Sequence, residues 1–208
     1  MIEIDDLSKK LKKSDVLQNI TYTFEKGRIY GLVGKNGSGK TMLLRAIAGL
    51  IIPTEGSVTI DGKVLHKDIS FPPSIGIIIE NLELLPQFDA ETNLKILAAI
   101  KKTASLKDIQ HAIKRLELDR FATLKVRKYS LGMKQRLNIA QAIFEKPDII
   151  LLDEPTNAID EKGVERVLDI LQEERDRGAT IIISTHNKDD VFPICDEIIE
   201  ISNGRLKL

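Results

Sequence analysis

The sequence predicts an α/β fold: a mostly parallel β-sheet between helices, an antiparallel β flank near the N-terminus, and an inserted α-helical subdomain. Three features of the 208 residues predict this fold: short runs that are apolar almost throughout, alternating runs in the first third of the chain, and a long stretch with helical periodicity. A chain of this length is expected to form one domain with its own core.

The parallel sheet is predicted by the runs that are apolar almost throughout. Such strands are typical of parallel sheets that helices cover on both sides, because neither face of the strand meets water. These runs comprise residues 29–33, 75–79, 149–152 and 180–184. Further strands are predicted over residues 20–24 and 198–201.

The antiparallel flank is predicted by two runs that alternate between apolar and polar residues. Ile2-Glu3-Ile4 and Val58-Thr59-Ile60 have this pattern, which is typical of strands with one buried face. Asp61-Gly62 follows the second run directly and is a common hairpin turn. We therefore expect antiparallel strands near the start of the chain.

The stretch from residue 81 to residue 146 has helical periodicity and no convincing strand. Apolar residues recur at helical spacing in the segments 94–101 and 109–118. A third helix is predicted over residues 131–146. Pro147 is expected to end it, because proline lacks the N–H and its ring clashes with the preceding turn.

A phosphate-binding loop is predicted between a strand and a helix, where residues 34–41 read Gly-Lys-Asn-Gly-Ser-Gly-Lys-Thr. Glycines let successive N–H groups point into one concavity, and the N-terminus of the following helix favours an anion. Lys40 would reach the β- and γ-phosphates, and the Thr41 hydroxyl would bind Mg²⁺. The alternative is a flexible surface loop. The predicted nucleotide-binding residues here are Gly34, Lys35, Asn36, Gly37, Ser38, Gly39, Lys40 and Thr41.

Two carboxylates, Asp153 and Glu154, follow the apolar run 149–152. Ligands of open parallel sheets bind at the carboxyl ends of the strands. We therefore expect Asp153 to hold Mg²⁺ beside the phosphate loop and Glu154 to point at the attacking water. Taken alone, the pair also fits solvated acids at a strand end.

Two further segments carry polar residues at positions that suit a phosphate site. Ser130 is a good N-cap for the third helix, but Gly132 in its first turn disfavours a helix. Close approach of a ligand to bare backbone N–H groups would explain Gly132. Thr185 and His186 follow the run 180–184, where His186 would contact the γ-phosphate, although an isolated histidine more often has a structural role.

Composition argues against several classes of protein. The formal net charge is zero, whereas a nucleic-acid partner usually requires a basic excess. Cys195 is the single cysteine, so no internal disulfide can form and a reducing compartment fits. The N-terminus lacks a signal-peptide core, and no apolar run approaches the ~18 residues of a membrane span, so we expect other chains to supply any spans.

In combination and order, these segments resemble the ATP-binding subunit of an ABC transporter over essentially the whole chain. Residues 34–41 match the Walker A loop and residues 149–154 the Walker B strand. The signature motif, usually Leu-Ser-Gly-Gly-Gln, is matched by Tyr129-Ser130-Leu131-Gly132-Met133. Residues 157–160 match the D-loop, and His186 matches the switch histidine.

The resemblance implies a single ABC ATPase domain over residues 1–208. A P-loop NTPase core with the antiparallel flank would comprise residues 1–80 and 148–208, and a helical signature subdomain would comprise residues 81–147. Its cofactors would be ATP and Mg²⁺. Membrane-spanning permease subunits, encoded separately, would hold the chain on the cytoplasmic face of the cell membrane.

The resemblance also implies a mechanism. Two ATP-binding subunits, identical or different, would enclose two ATP molecules head to tail, each between the Walker motifs of one subunit and the signature of the other. Glu154 would act as general base or orient the water, and His186 would hold the γ-phosphate. Opening and closing of this dimer would drive the permease subunits. The residues that would bind the partner's γ-phosphate are Ser130, Leu131, Gly132 and Met133.

Three positions depart from the family's usual pattern. Leu11 stands where an aromatic residue often stacks on adenine, so we expect Val16 to pack against the base instead. Glu80 replaces the glutamine that usually follows strand 75–79 and is predicted to bind Mg²⁺. In the signature, Leu131 replaces the first glycine and Met133 the usual glutamine.

Glu80 and the signature sequence are similar to the bacterial subgroup linked to bacitracin resistance and lantibiotic immunity, which suggests export of peptide antibiotics or drugs. One alternative is a soluble ABC-type ATPase that acts as a mechanical factor, although such factors usually carry two cassettes or long coiled-coil insertions. Another is a small-molecule kinase, against which Ser130, Gly132 and His186 argue.

Overall fold

The strands and helices of the protein follow from a computed structural model, which describes residues 1–12, 14–80, 84–186 and 192–207. The strands are β1 (Ile2–Leu11), β2 (Ser14–Phe24), β3 (Ile29–Val33), β4 (Glu55–Ile60), β5 (Lys63–Val64), β6 (Ile75–Ile78), β7 (Ile149–Asp153), β8 (Thr180–Thr185), β9 (Glu197–Ser202) and β10 (Arg205–Lys207). The helices are α1 (Lys40–Ile47), α2 (Ala90–Lys101), α3 (Leu106–Arg115), α4 (Leu131–Ile143) and α5 (Glu161–Asp176). The predicted domain limits at residues 81 and 208 lie outside the described residues.

The larger sheet has six strands in the order β10-β9-β3-β8-β7-β6. The five strands from β9 to β6 are parallel, and β10 pairs antiparallel with β9. Every residue of β3 and β8 is buried, as expected for strands between two layers of side chains. The four runs predicted to form a parallel sheet are therefore adjacent strands, and the predicted α/β class is confirmed.

The smaller sheet has the order β2-β1-β4-β5 and is antiparallel. Asp61 and Gly62 both have positive φ and form the turn between β4 and β5, as predicted. β1 extends over ten residues, where the alternating pattern predicted only three. Helix α1 joins the two sheets, because its Leu43 and Ile47 pack in one cluster with Ile2 and Tyr30.

The elements between β6 and β7 are helical, as predicted. Helix α2 is capped by Asp89, and Ser105 and Asp108 form a capping box at α3. Helix α4 ends at Ile143, three residues before the predicted end. Lys146 has a φ of 52°, which lies outside the right-handed helical region, so the chain has left the helix before Pro147 is reached.

A partly buried ion-pair cluster joins α3 to α5. Arg115, at the end of α3, pairs with Glu173 and Glu174 of α5. Arg166 of α5 donates in turn to the Arg115 carbonyl over 3.0 Å. Among the described helices, none has the length and apolar character that crossing a bilayer requires.

Candidate nucleotide-binding site

The loop between β3 and α1 curls around the start of the helix. Gly39 is the N-cap of α1 and has a φ of 114°, a conformation that glycine adopts without strain. Lys40 is buried, and its Nζ donates to the carbonyl oxygens of Gly34 at 2.7 Å and Lys35 at 3.3 Å. Both acceptors are neutral carbonyls, so these contacts leave the ammonium group able to bind an anion in the loop.

A cavity of about 220 Å³ opens beside this loop, and Val16 supplies part of its apolar wall. It is lined by Val16, Asn36, Gly37, Gly39, Lys40, Thr41, Met42, Asp153 and Glu154. Of these, only Met42 was missing from the predicted site residues. Lys35 and Ser38 line an adjoining polar cavity of about 380 Å³, together with residues of β9 and β10.

Asp153 ends β7 beside the first turn of α1. The Thr41 hydroxyl donates to Asp153 Oδ2 over 2.7 Å, and the Ser184 hydroxyl donates to Oδ1. Thr41 and Asp153 thus present two oxygen ligands at the edge of the cavity. Hard cations such as Mg²⁺ take ligands of this kind, with water and phosphate oxygens at the remaining positions. The residues present therefore fit a Mg²⁺ ion.

Glu154 is held by the end of β8. His186 Nδ1 lies 2.8 Å from Glu154 Oε1, and the backbone N–H of His186 donates to the same oxygen over 3.0 Å. The Thr185 hydroxyl donates to Oε2 over 3.2 Å. The structure thus brings the two predicted catalytic residues into contact. A carboxylate fixed in this way can accept a proton from a water or orient it.

The signature residues lie apart from this cavity, and its described lining includes none of them. Ser130 caps α4 as predicted, because its hydroxyl accepts from the N–H of Met133 over 3.2 Å. Leu131 is 70% exposed. The start of α4 is therefore presented to the surroundings of the chain rather than to its own phosphate loop.

Gly132 has a packing role that the sequence did not indicate. It lies against the loop that follows Glu154, where a side chain would meet the backbone of Ala158. Gln135, one turn further along α4, donates through Nε2 to the carbonyls of Pro155 at 3.1 Å and Glu154 at 3.4 Å. Helix α4, which begins with the signature residues, is thus hydrogen-bonded to the chain segment that carries Glu154.

Glu80 follows β6 and forms an ion pair with Arg45, one turn beyond Thr41 on α1. Its φ is 62°, and its side chain is 58% exposed. Its role as a metal ligand stays a prediction.

Besides Met42, three contacts of the site were not predicted. Ser184 and Thr185 donate to the carboxylates of Asp153 and Glu154, and Gln135 donates to the backbone carbonyls of Glu154 and Pro155. For Ser184 and Thr185 a signal was present, because two hydroxyls directly before His186 interrupt an otherwise apolar strand at the edge where ligands bind. For Gln135 no such signal existed, since its partners lie about twenty residues further along the chain.

Comparison with known proteins identifies the family to which a site of this geometry belongs. The model of the family "ABC transporter" matches residues 17–157. The chain is 68% identical over 207 residues to the uncharacterized ABC transporter ATP-binding protein YybJ of Bacillus subtilis (strain 168), covering 100% of this chain and 95% of that protein. It is 34% identical to the bacitracin transport ATP-binding protein BcrA of Enterococcus faecalis (99% and 68% covered) and 32% identical to the lantibiotic transport ATP-binding protein SrtF of Streptococcus pyogenes (100% and 90% covered).

Solved structures agree with these relatives. An ATP-binding subunit of an ABC transporter superposes with a TM-score of 0.90 at 26% identity, covering 100% of this chain and 88% of that one. The dimeric cassette MJ0796 superposes with a TM-score of 0.89 at 28% identity, covering 100% of this chain and 97% of that one. The post-hydrolysis dimer of MJ0796 with ADP and Pi also superposes with a TM-score of 0.89, at 27% identity and with the same coverage. The resemblance inferred from the motifs is confirmed. The chain belongs to the ABC transporter family, as one of its ATP-binding and ATP-hydrolysing subunits.

Proposed function

We propose that this chain pairs with a second ATP-binding subunit around two Mg²⁺–ATP complexes and so powers export through separately encoded membrane-spanning subunits. The observation that carries the proposal is the contact set at the ends of β7 and β8. There Asp153 lies against Thr41 of the phosphate loop, and Glu154 lies against His186. These contacts support the proposal that nucleotide binding and the activation of water occur at one edge of one sheet.

The phosphates would be bound by the N–H groups of the loop and by Lys40. Thr41 and Asp153 would hold Mg²⁺, with Glu80 as a further candidate ligand. When bound, the ion neutralises charge on the phosphate oxygens, which is a large part of what phosphoryl transfer requires. Glu154 would take the proton of the attacking water or orient that water. His186 would keep Glu154 in place and contact the γ-phosphate. Val16 would pack against the adenine.

The exposure of the signature supports a site completed by a partner. The N-terminus of α4, with Ser130, Leu131, Gly132 and Met133, carries the positive end of the helix dipole, and Ser130 caps it by accepting from the Met133 N–H. These residues do not line the chain's own cavity and Leu131 is exposed, so we assign them to the γ-phosphate of the partner's ATP. The dimeric MJ0796 cassettes, to which the chain is similar, support this arrangement.

The membrane partners and the cargo are inferred from the relatives. BcrA and SrtF are named for bacitracin transport and lantibiotic transport, and the sequence resembles that subgroup at Glu80 and at the signature. We therefore assign export of peptide antibiotics or similar drugs, with this chain on the cytoplasmic face of the membrane. We treat residues 81–147 as the helical signature subdomain and residues 1–80 and 148–208 as the core of a single domain.

Glu154→Gln tests the proposal, with Glu165→Gln on the exposed side of α5 as the matched control. The Glu154 variant should lose nearly all ATP hydrolysis, bind ATP as the unaltered protein does, and accumulate as a dimer with ATP in sedimentation. The control should hydrolyse ATP normally. Turnover in Glu154→Gln at the rate of the unaltered protein would remove the assigned base, and a tight dimer without nucleotide would contradict ATP-dependent pairing.

Co-purification tests the assignment to a transporter. The tagged chain, isolated from membranes, should bring with it a protein with several apolar spans. Recovery without any membrane protein would oppose that assignment and leave the ATPase assignment standing.

A further inference from the structure

We infer that Ser184 is a positioning residue for the metal site: its buried hydroxyl fixes the carboxylate of Asp153 in the orientation needed to hold Mg²⁺ with Thr41. The affinity of the nucleotide site for Mg²⁺ would then depend on a side chain that never touches the ion. This inference rests on the proposed function, because it assumes that Asp153 and Thr41 form the metal site.

The contacts of Ser184 place it directly behind the carboxylate. Ser184 and Asp153 are register partners on the parallel strands β8 and β7, and Ser184 is fully buried. Its hydroxyl donates to Asp153 Oδ1, while the Thr41 hydroxyl donates to Oδ2 over 2.7 Å. Each carboxylate oxygen therefore receives one hydroxyl, and the two donors together fix the plane of the carboxylate.

Ser184 also contacts the second carboxylate residue through its backbone. Its carbonyl oxygen accepts from the N–H of Glu154 over 2.9 Å. Glu154 has a φ of 50°, so the chain turns sharply directly after Asp153. Ser184 therefore holds both the side chain of Asp153 and the backbone of the next residue, and the carboxylate has little freedom to move along the strand.

The two hydroxyls on Asp153 have different tasks. Thr41 lines the cavity and is partly exposed, so its oxygen can bind a cation while its O–H still donates to Asp153. Ser184 is inside the sheet, so its hydroxyl is out of reach of an ion in the cavity and can only orient the acid. Partners of metal ligands act in this way, and their removal typically lowers metal affinity by about 10- to 100-fold.

The hydroxyl of Thr180 provides a matched control on the same strand. It is buried as Ser184 is, but it lies at the opposite end of β8 and donates to the Glu25 carbonyl over 3.3 Å. A hydroxyl that only supports the fold would affect stability in either position. A hydroxyl that orients Asp153 would in addition change how the site responds to Mg²⁺.

The experiment titrates Mg²⁺ into full-length protein with a fluorescent, non-hydrolysable ATP analogue and follows analogue binding. Ser184→Ala should raise the half-saturating Mg²⁺ concentration about tenfold. It should leave analogue binding in EDTA unchanged, because the effect acts only through the metal. Ser184→Thr, which retains a hydroxyl, should restore the titration. Thr180→Val should not shift it.

The outcomes separate this inference from the proposed function. If the unaltered protein neither binds the analogue with Mg²⁺ nor hydrolyses ATP, the proposed function is wrong. If it does both and the Ser184→Ala titration superimposes on it, or if Thr180→Val shifts the curve equally, the role of Ser184 is overturned. Should Ser184→Ala fail to fold, Ser184→Cys, with a weaker donor of similar size, must still require more Mg²⁺ than the unaltered protein.

Discussion

A β-carbon built on Gly132 would lie 2.6 Å from the carbonyl oxygen of Ala158, so the signature helix and the D-loop are in backbone contact within one chain. Ala158 itself has a φ of 64°, and its carbonyl oxygen is the atom nearest to that position. The glycine that the resemblance assigns to ATP binding is therefore also required by packing. Any displacement of the start of α4 by a partner's nucleotide would press on the loop that begins at Glu154.

Gly132→Ala should destabilise the protein, because a methyl group cannot fit against a fixed backbone oxygen. Overpacking of this kind typically costs about 1–3 kcal/mol. Helix propensity alone predicts the opposite sign, since alanine is favoured over glycine by about 1 kcal/mol in a helix. Urea unfolding measures the free energy of unfolding. The control Leu131→Ala, in the same turn but exposed, should change it by less than about 0.5 kcal/mol. A stabilised Gly132→Ala would refute the packing role.

Gln135→Glu should lower the rate of hydrolysis and leave ATP affinity nearly unchanged. The substitution removes the amide donor to the carbonyls of Glu154 and Pro155 and places a negative charge against two oxygens. If the lost hydrogen bonds raise the activation free energy by about 1 kcal/mol, kcat should fall roughly fivefold. Gln141→Glu makes the same change of charge further along α4 and serves as the control. Equal activities of the two variants would show that the Gln135 contacts do not position Glu154.

Local patterns predicted much of this site because its main chemistry lies in continuous segments. The phosphate loop, the Asp153–Glu154 pair and His186 each follow or precede a strand that is recognisable from its own residues. In a parallel sheet those strand ends must meet, so contact between Glu154 and His186 follows from the fold class.

The contacts that could not be predicted join segments that are distant in the sequence, and no local pattern in one segment indicates the other. The need for glycine at position 132 is explained only by the neighbouring backbone of Ala158. The role of Gln135 is likewise explained only by its contact with the Glu154 carbonyl. The lengths of β1 and β2 were also missed. Their outer halves are half-exposed strands with several register irregularities, which interrupt the regular alternation from which a strand is recognised.

Lys40→Ala should weaken ATP binding by about 10- to 100-fold, the loss expected for a charge-assisted hydrogen bond to phosphate. The effect arises because the buried ammonium has only neutral carbonyl acceptors in the described structure and is thus available to an anion. Equilibrium binding of a fluorescent ATP analogue measures it. The exposed Lys162 of α5 provides the control Lys162→Ala, which should bind normally. Unchanged affinity in Lys40→Ala would remove this lysine from the site.

Glu80→Ala should raise the Mg²⁺ concentration needed for half-maximal ATPase activity if Glu80 is a metal ligand. The matched variant Arg45→Met removes the ionic partner of Glu80 but keeps the carboxylate, so it should not raise the requirement. Both side chains are partly exposed, so the ion pair itself should contribute no more than about 1 kcal/mol to stability. A Mg²⁺ curve that Glu80→Ala leaves unaltered would assign Glu80 to coupling with partner subunits.

Cys195 should react slowly with iodoacetamide in the folded protein. Burial, and secondarily the charge of Asp196, raises the pKa of the Cys195 thiol to about 12. The thiolate is the reactive species, so a shift from the ordinary value of 9.0 reduces its population at pH 8 about a thousandfold. Because the folded-state pKa is the higher one, this group's contribution to stability is complete below pH 9 and is lost as pH rises towards 12. Cys195→Ala should therefore flatten the alkaline loss of stability, as measured by thermal unfolding between pH 8 and about 10.5. Labelling of the native protein as fast as in urea would show that the thiol is not protected by the fold.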